Sequence, residues 1–600
     1  MFSKLILLFG CICVSSAFFS CNSNTHSNSF INKDSSIKYE PVKLSLAEKQ
    51  ILGKSLKELG ERYDPNEKMI TKKLTGYNYH TDAQTGVFHE VRSSFSYAVG
   101  LLDFGGEENI KRGFDIIEKV ISLQDTNSLS KTCGIWPYYQ EEPLSTKKSP
   151  PDFNWADFNS VSLLDAVMGH EAVVPDKLKP IIKKSLILAA RSIEKRNVRP
   201  GYTNIAIMGT YVTFMTSHLF DIPDMQEYAK SRLDNFYNYT IERGGFTEYN
   251  SPTYTIVALD ELERMKRHII APDATRMIDS LYNIGWGMVA RHYHKPSGQW
   301  TGPHSRSYRT LVNTSFYGIL KQASNGEIDL GYENQRSDVK IKHHMPLYLF
   351  HYFLSPEYPR IETDVFAFEE PKILGTSYLT NTYALATANR SSLWNQRRPM
   401  TAYWGNIQKP HYLQVRFLHD FYDFSSANFY SQQKKNSILA AINFITKGGD
   451  KHISIDRLKD GKFKAKDLRL RFELGNYANL KNLTIPKVNS KSFGFTLDSI
   501  RFNLQLYQAV FGKYKGYWKT GGDEKNSWID YVVYTGEEIE FDLNNINEAI
   551  LGFTFTMGKL DEKTPTENPK VSVKSSIMNA KWKGMELEVP VKPILQPKNL

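Results

Sequence analysis

The sequence has 600 residues, of which 41% are hydrophobic and 13% are aromatic. This length exceeds one ordinary domain and the apolar content excludes a disordered chain, so we expect two or three folded domains. The formal net charge of +11 is compatible with nucleic acid, an anionic surface or an acidic glycan as a partner.

The first 21 residues predict an export signal. Lys4 supplies a positive start, and residues 5–14 form a short apolar core. The sequence before Cys21 resembles a bacterial lipobox, so we expect lipidation at Cys21, with residues 22–40 as a polar tether. Export argues against nucleic acid and favours an acidic polysaccharide as partner. We therefore expect an outer-membrane lipoprotein, or otherwise a periplasmic or secreted protein, which meets the membrane only through its lipid anchor.

Residues 41–360 have the pattern of helices. Apolar residues recur at helical spacing, for example at Phe114, Ile117, Val120 and Ile121. The connections between the predicted helices are rich in Gly, Pro, Asn and aromatic residues. Loops on a rigid scaffold commonly carry binding groups, so we expect the functional residues in these connections.

Five of these connections contain polar and aromatic groups that suit carbohydrate chemistry. The candidate binding residues are Arg92, Trp136, Asn154, Trp155, Glu248 and Asn250, and the candidate catalytic residues are Asn204, Tyr254, His304, Arg306 and Tyr308. An exposed Trp stacks well on a sugar face, although a buried Trp can equally anchor a long loop. Arg92 has a structural ion pair as its alternative, and Glu248 and Asn250 can instead satisfy loop backbone groups.

The segment from Gly302 to Tyr308 pairs an imidazole with a phenol. If it is extended, His304, Arg306 and Tyr308 face one side. If it is helical, His304 and Tyr308 are still neighbours, four residues apart. Arg306 can grip a carboxylate with two hydrogen bonds and lower the pKa of a nearby Tyr. The alternative is an ordinary surface turn.

Residues 361–600 have the pattern of strands. Polar and apolar residues alternate in segments such as 539–543 and 550–557, and Gly-rich turns separate them. This texture predicts an antiparallel β-sandwich. Pro356 and Pro359 break any helix at the boundary between the two halves.

The candidate catalytic residues match the needs of β-elimination in a uronic acid polysaccharide. A base removes the C5 proton after the neighbouring carboxylate has been neutralised, and the 4-linked oxygen then leaves with a proton. Asn204 and Arg306 would neutralise the carboxylate. Tyr308 is the first candidate for base and acid, with His304 assisting or taking the base role and Tyr254 in reserve. This chemistry requires no cofactor or catalytic metal, and a structural divalent metal stays open.

The motifs WPYYQEEP, PDFNWADF, EYNSPTY and GPHSRSY in the helical half, followed by a strand-rich half, resemble those of the (α/α)-toroid polysaccharide lyases. That group includes heparinase-like, chondroitin AC and alginate lyases. The resemblance implies a multidomain α+β chain, with an (α/α) toroid of six or seven hairpins before a β-sandwich. It also implies that Asn204 neutralises the uronate, and that His304, Arg306 and Tyr308 are base, neutraliser and acid.

Two other functions fit the same residues. A toroid glycoside hydrolase would need two carboxylates about 5 to 10 Å apart across the sugar. Asp157 and Glu248, or one of Glu141 and Glu142, would supply them. A non-catalytic glycan-binding lipoprotein would bind the same acidic polysaccharide without cutting it. The sequence indicates neither the particular glycan nor an endo or exo mode.

Overall fold

The computed structural model describes residues 30–32, 34–76, 81–447, 458–477, 492–562 and 567–595. The predicted export signal, the lipidation site Cys21 and the first part of the tether lie outside these residues. Within them, no helix combines the length and the apolar character needed to cross a membrane.

The described part of the N-terminal half is mainly helical. Its helices are α1 (Leu46–Gly60), α2 (Val91–Phe104), α3 (Glu107–Ile121), α4 (Asn154–His170), α5 (Lys179–Arg196), α6 (Thr203–Phe220), α7 (Pro223–Glu242), α8 (Tyr254–His268), α9 (Pro272–His292), α10 (Thr314–Ala323) and α11 (His351–Leu354).

Helices α2 to α9 form four consecutive hairpins. The first helices of the four hairpins lie side by side, since α2 contacts α4, α4 contacts α6 and α6 contacts α8. Among the second helices, α3 contacts α5, and α7 contacts α9. Every residue of α6 is buried, which makes it a central helix. Because hairpin helices run antiparallel, α2, α4, α6 and α8 point the same way, and the loops before them lie at one end.

Side chains from neighbouring helices pack closely against Gly209 on α6. A Cβ atom on Gly209 would lie 2.7 Å from Oδ1 of Asp157 and 2.9 Å from Nη2 of Arg232. Such distances are far inside van der Waals contact, so a side chain at position 209 would displace the Asp157 carboxylate and the Arg232 guanidinium.

Small antiparallel sheets accompany the helices, and two larger sheets with one three-stranded sheet, made of the last three strands, form the described C-terminal half. The strands are β1 (Tyr63–Asp64), β2 (Met69–Thr75), β3 (Thr85–Glu90), β4 (Tyr293–His294), β5 (Gln299–Trp300), β6 (Arg360–Ala367), β7 (Ile373–Leu379), β8 (Tyr383–Ala388), β9 (Arg390–Ser392), β10 (Met400–Gly405), β11 (Pro410–His419), β12 (Tyr422–Asp423), β13 (Ala427–Lys434), β14 (Ser437–Phe444), β15 (Lys462–Gly475), β16 (Ser492–Leu497), β17 (Ile500–Phe511), β18 (Tyr517–Gly522), β19 (Ser527–Asp542), β20 (Ala549–Lys559), β21 (Lys570–Lys574), β22 (Ile577–Trp582) and β23 (Met585–Pro590).

The larger sheet has the order β18-β19-β15-β11-β10-β8-β7-β6, with β12 beside β11, and the second has the order β16-β17-β20-β14-β13-β9. Their neighbouring strands pair antiparallel. The rings of Phe417 and Phe444 lie 4.9 Å apart, and those of Phe472 and Phe553 lie 5.1 Å apart, so the two sheets share one apolar core. The mixed α+β class predicted from the sequence is confirmed. Closure of the helices into a toroid stays a prediction, as does the division at residue 360.

Candidate functional site

The segment 302–310 crosses from the helical half to the larger sheet. The backbone N–H and C=O groups of His304 bond the C=O and N–H groups of Arg398, both at 3.0 Å. A Cβ atom on Gly302 would lie 2.4 Å from Oγ1 of Thr401 on β10. A side chain at position 302 would therefore displace the Thr401 side chain where this segment meets the sheet.

Arg306 is the centre of the site. Its Nη2 donates to the hydroxyl of Tyr254 at 2.9 Å and to Oε1 of Gln396 at 2.9 Å, and its Nε donates to the same amide oxygen at 3.1 Å. Nη1 lies 3.4 Å from Oε1 of Glu248. The guanidinium also lies 5.1 Å from the ring of Trp394. Groups from both halves of the chain thus hold one cation in place.

Two tyrosines extend the site toward solvent. Tyr254 is the first residue of α8, and its hydroxyl shares a hydrogen bond of 2.8 Å with that of Tyr308. Ser251 positions this helix start, because its hydroxyl accepts from the Tyr254 N–H at 3.0 Å and donates to the Arg306 C=O at 2.5 Å. Burial raises the pKa of Tyr254, and the charge of Arg306 opposes that shift. Tyr308 is 59% exposed, so it connects Tyr254 with water.

Glu248 and Asn204 lie on the other side of Arg306. Burial raises the pKa of Glu248 to about 7, against the opposing effects of Arg306 and of the Asn204 N–H, which lies 3.4 Å from Oε2. Asn204 is in the first turn of α6. Its Oδ1 is buried and has no hydrogen-bond partner among the described residues. Asn204, Glu248, Arg306, Tyr254 and Tyr308 therefore form one continuous series of contacts.

A cleft of about 440 Å³ borders Arg306. Its walls come from the loops before α6 and α8, the segment 302–310, strands β6, β7 and β9, and Arg397. Glu248 is the one carboxylate among these lining residues. The cleft is thus rich in cationic and aromatic groups.

Asn154 lies at the margin of this cleft. Its Nδ2 donates to the hydroxyl of Tyr202, which lines the cleft, at 3.2 Å, and its Oδ1 accepts from Arg196 at 2.7 Å. Tyr202 is 36% exposed, so its ring can face a ligand. The predicted Asn154 therefore acts on the cleft through Tyr202.

The structure does not bring the imidazole of His304 to the cluster. The ring is 1% exposed, with Nδ1 2.6 Å from the C=O of Asn250 and Nε2 3.3 Å from the hydroxyl of Tyr403. Burial lowers its pKa to about 4. The expectation that His304 shares one face with Arg306 and Tyr308 is corrected, because the backbone bends directly after the bridge at His304.

Asn250 supports the segment 302–310 and does not face the cleft. Its Nδ2 donates to the C=O groups of Thr301 and Pro303 at 2.8 and 2.9 Å, and its Oδ1 accepts from the indole of Trp300 at 2.5 Å. The residue is fully buried, with a left-handed φ of 44° that Asn tolerates well. The predicted role of Asn250 in substrate binding is corrected to the loop-supporting alternative.

The two candidate Trp side chains are also buried. The indole of Trp136 donates to a backbone C=O of α3 at 3.0 Å, and the ring of Trp155 packs 4.1 Å from that of Tyr138. Neither can stack on a sugar, because Trp136 packs its loop against α3 and Trp155, in the first turn of α4, packs against Tyr138 of the preceding connection. Arg92 is exposed, with its guanidinium 3.9 Å from the ring of Phe158, and it contacts no member of the Arg306 cluster within the described residues.

The remaining carboxylates of the hydrolase alternative lie outside the cleft lining. Asp157 is buried between helices, and burial raises its pKa to about 7. Glu141 bonds the ring and backbone N–H of His89, at 2.5 and 3.1 Å. Glu142 accepts from the backbone N–H groups of residues 82 and 83. These three carboxylates therefore stabilise local structure.

Several residues of the site carried no signal in the sequence. Gln396, Trp394, Arg390 and Arg397 belong to the strand half and come close to Arg306 only through the fold. Tyr202 is two residues before the predicted Asn204, and an aromatic residue so close to a candidate site residue is a sequence signal for a cleft-lining position. Among the described residues, no group of three or more His, Cys, Asp or Glu side chains could hold a metal ion.

Residues 49–348 match a family described as a domain of unknown function (DUF8769). No curated protein matches the chain. A heparan sulfate lyase mutant from Pedobacter heparinus matches with 10% identity and a TM-score of 0.36, over 92% of this chain and 90% of that chain. A chondroitin AC lyase from Streptomyces coelicolor A3, in complex with chondroitin sulphate, matches with 7% identity and a TM-score of 0.45, over 89% and 83%. With scores this low, the activity must be inferred from the residues of this chain.

Proposed function

We propose that this chain, which belongs to the DUF8769 family, is a polysaccharide lyase that cleaves a uronic acid polysaccharide by β-elimination. The main support is the contact of the Arg306 guanidinium with the Tyr254 hydroxyl at 2.9 Å, beside the Tyr254–Tyr308 hydrogen bond of 2.8 Å. A fixed cation next to two phenols supplies charge neutralisation and proton transfer at one place.

Arg306 would hold the uronate carboxylate. The C5 proton of a uronate is barely acidic while the adjacent carboxylate keeps its full charge, so a bound cation lowers the barrier to its removal. Gln396 fixes the orientation of the guanidinium through its two accepted hydrogen bonds. Asn204 is the second neutralising group in the proposal, because its buried amide lacks a partner for Oδ1 and an amide flip would present a donor.

Tyr254 would exchange protons with the substrate, and Tyr308 would connect it with water. Tyr254 lies against Arg306, which stabilises a phenolate, whereas Tyr308 is further out and exposed. In this assignment Tyr254 takes the role first given to Tyr308. His304, enclosed by Asn250 and Tyr403, would act as a positioning residue for the segment that carries Arg306.

The proposed reaction balances in a single elimination. Tyr254 first passes its own proton through the Tyr308 hydroxyl to water. The resulting phenolate takes the C5 proton, and the C–H electron pair forms a double bond between C4 and C5. The bond from C4 to the linking oxygen breaks, and that oxygen receives a proton from Tyr254. The products are a new chain end with a hydroxyl group and a C4–C5 unsaturated uronate.

The proposal includes the architecture and the location of the protein. We expect the helical hairpins to form an (α/α) toroid at residues 41–360 and the two large sheets to form a β-sandwich at 361–600. We also expect export and lipid attachment at Cys21, with an acidic polysaccharide as the partner. No cofactor is assigned to the reaction.

The glycoside hydrolase alternative finds less support. Hydrolysis needs two carboxylates that face each other across the sugar. Glu248 is the single carboxylate of the cleft lining, and Asp157, Glu141 and Glu142 make other contacts.

The test is a set of acidic polysaccharides incubated with the full chain while near-ultraviolet absorbance is followed. We expect the absorbance to rise for at least one uronate polymer, because elimination creates a conjugated C=C bond. Tyr254→Phe should lower the rate by about 10²- to 10⁴-fold, since it removes the proton-transfer group. Tyr348→Phe, an exposed tyrosine outside the site, is the matched control.

Each alternative gives a different result in this test. New reducing ends without new absorbance would identify a hydrolase. Binding without either product would identify a non-catalytic glycan-binding protein. Equal rates for the native chain and Tyr254→Phe would remove Tyr254 from the mechanism.

A further inference from the structure

The cleft beside Arg306 contains two more arginines that the proposed reaction does not use. Arg390 lies on β9 and Arg397 lies in the connection from β9 to β10, and both line the same 440 Å³ space as Arg306. Three guanidinium groups thus border one cleft. Its single lining carboxylate, Glu248, is buried on the Arg306 side and has a pKa raised by burial to about 7.

Arg390 has no acidic partner within the described part of the chain. Its guanidinium lies 5.3 Å from the ring of Tyr430, which holds the side chain by a cation–π contact without consuming its hydrogen-bond donors. The residue is half-buried. A partly desolvated guanidinium that faces a cleft and has no carboxylate beside it favours an anionic ligand.

Arg397 is held in a defined orientation next to this position. Its Nη1 donates to Oγ of Ser392 at 2.9 Å. Its charge opposes the rise in the pKa of Tyr249 that burial causes, so the guanidinium acts on the wall of the cleft. Arg397 therefore lies in a fixed position in the same cleft lining as Arg390.

The other walls of the cleft suit a sugar ring. Tyr202 is partly exposed and can offer its ring to a ligand, whereas Tyr249 and Phe366 are buried, stack with their ring centroids 3.8 Å apart, and support the wall beneath it. Flat aromatic surfaces pack well against the apolar faces of pyranose rings. The combination of aromatic walls and arginines fits a sugar that carries a negative group.

We propose that Arg390 forms a second anion-binding subsite, with Arg397 beside it in the cleft lining, which holds a sulfate ester or carboxylate on the sugar next to the reacting uronate. This inference rests on the proposed glycan substrate and is independent of the eliminative step. The subsite would select polymers with a negative group on that neighbouring sugar. The test below uses different ligands to distinguish a sulfate from a carboxylate as the group that is bound.

The test measures binding to the full chain carrying Tyr254→Phe, so that no substrate is consumed. Isothermal titration is carried out with three tetrasaccharides: unsulfated chondroitin, sulfated chondroitin and oligoalginate. We expect Arg390→Gln to lower the affinity for either sulfated chondroitin or oligoalginate about 10- to 100-fold, because a charge-assisted hydrogen bond is lost. The sulfated chondroitin is affected if the subsite takes sulfate, and oligoalginate is affected if it takes a carboxylate.

Two further variants keep the result interpretable. Arg390→Lys retains the charge without the forked donors, so it should recover part of the lost affinity. Arg276→Gln changes an exposed arginine on α9 and should bind like the parent. Equal weakening of all three ligands by Arg390→Gln, or unchanged affinity for all three, would overturn the subsite.

The outcomes also separate this inference from the proposed reaction. Charge-dependent binding that Arg390→Gln weakens, without absorbance change in the native chain, would sustain the subsite and reject the lyase. Elimination by the native chain with no effect of Arg390→Gln on any ligand would reject the subsite and sustain the lyase. A lack of binding by all three tetrasaccharides would overturn the subsite.

Discussion

The pKa values of single residues in this site depend on burial and on the charged or polar groups beside them. Glu248 is the clearest case, because burial raises its pKa from the ordinary value of 4.5 to about 7 while Arg306 and the Asn204 N–H act in the opposite direction. The folded chain therefore binds this proton more tightly than the unfolded chain does. Its stabilising contribution is complete below pH 4.5 and is lost as the pH rises through about 7.

We predict that Glu248→Gln removes this part of the pH dependence of stability. The free energy of unfolding of the native chain, relative to the variant, should fall by about 3 kcal/mol between about pH 4 and about pH 8. Urea denaturation at a series of pH values measures this difference. Glu242→Gln on α7, where the carboxylate is largely exposed, is the control. A difference that does not change with pH would show that Glu248 titrates normally.

The residue scale also shows what the sequence can and cannot indicate. Arg306, Tyr254 and Tyr308 could be predicted as candidates because charged and phenolic groups are uncommon so close together in Pro- and Gly-rich segments, and their side chains are in contact. His304 and Asn250 belong to the same segments, but their polar atoms are used by buried backbone and side-chain groups. Residue type indicates which chemistry is available. It does not indicate whether a side chain points to a cleft or to the interior.

At the scale of elements, the site depends on two irregular segments held against each other. The loop before α8 contributes Asn250, whose side chain makes three hydrogen bonds to the neighbouring segment at residues 300–303. The helices were predictable from apolar spacing, since that pattern reports burial of one face. The loop contacts were not, because hydrogen bonds between irregular segments have no periodicity.

We predict that Asn250→Ala destabilises the fold by about 3 to 5 kcal/mol. The change leaves two buried carbonyl groups and one indole N–H without their partner, and it places Ala in a left-handed conformation. Asn325→Ala is a matched control, because Asn325 is exposed and also has a positive φ, of 52°. Urea unfolding of both variants measures the difference. Equal losses would attribute the whole effect to backbone conformation.

At the scale of the whole molecule, the site joins two halves that the sequence predicts separately. Arg306 comes from the helical half, whereas Gln396 and Trp394 come from the strand half. The composition of each half indicated its class of secondary structure. Contacts between positions some 90 residues apart leave no pattern in a single sequence, so this part of the site became visible only in the fold.

We predict that Gln396→Ala lowers kcat/KM by about 10- to 100-fold, since Arg306 would lose the acceptor of two hydrogen bonds and with it a fixed orientation. The absorbance assay on the active polymer measures the rate, and thermal unfolding checks the fold. Gln408→Ala, at an exposed position of the same half, should behave as the native chain. An unchanged rate in Gln396→Ala would show that Arg306 needs no support from the strand half.

Gly302 packs so closely against the sheet that a Cβ atom there would lie 2.4 Å from Oγ1 of Thr401. This contact limits which sheets can be combined with the helical half in a chimeric protein. A hybrid that borrows its sheets from a distant relative must reproduce the surface around Thr401 as well as the amide at position 396. Otherwise the segment 302–310 would shift, and Arg306 would move with it. Engineers who wish to exchange one half should therefore transplant residues 302–310 together with the sheets that receive them.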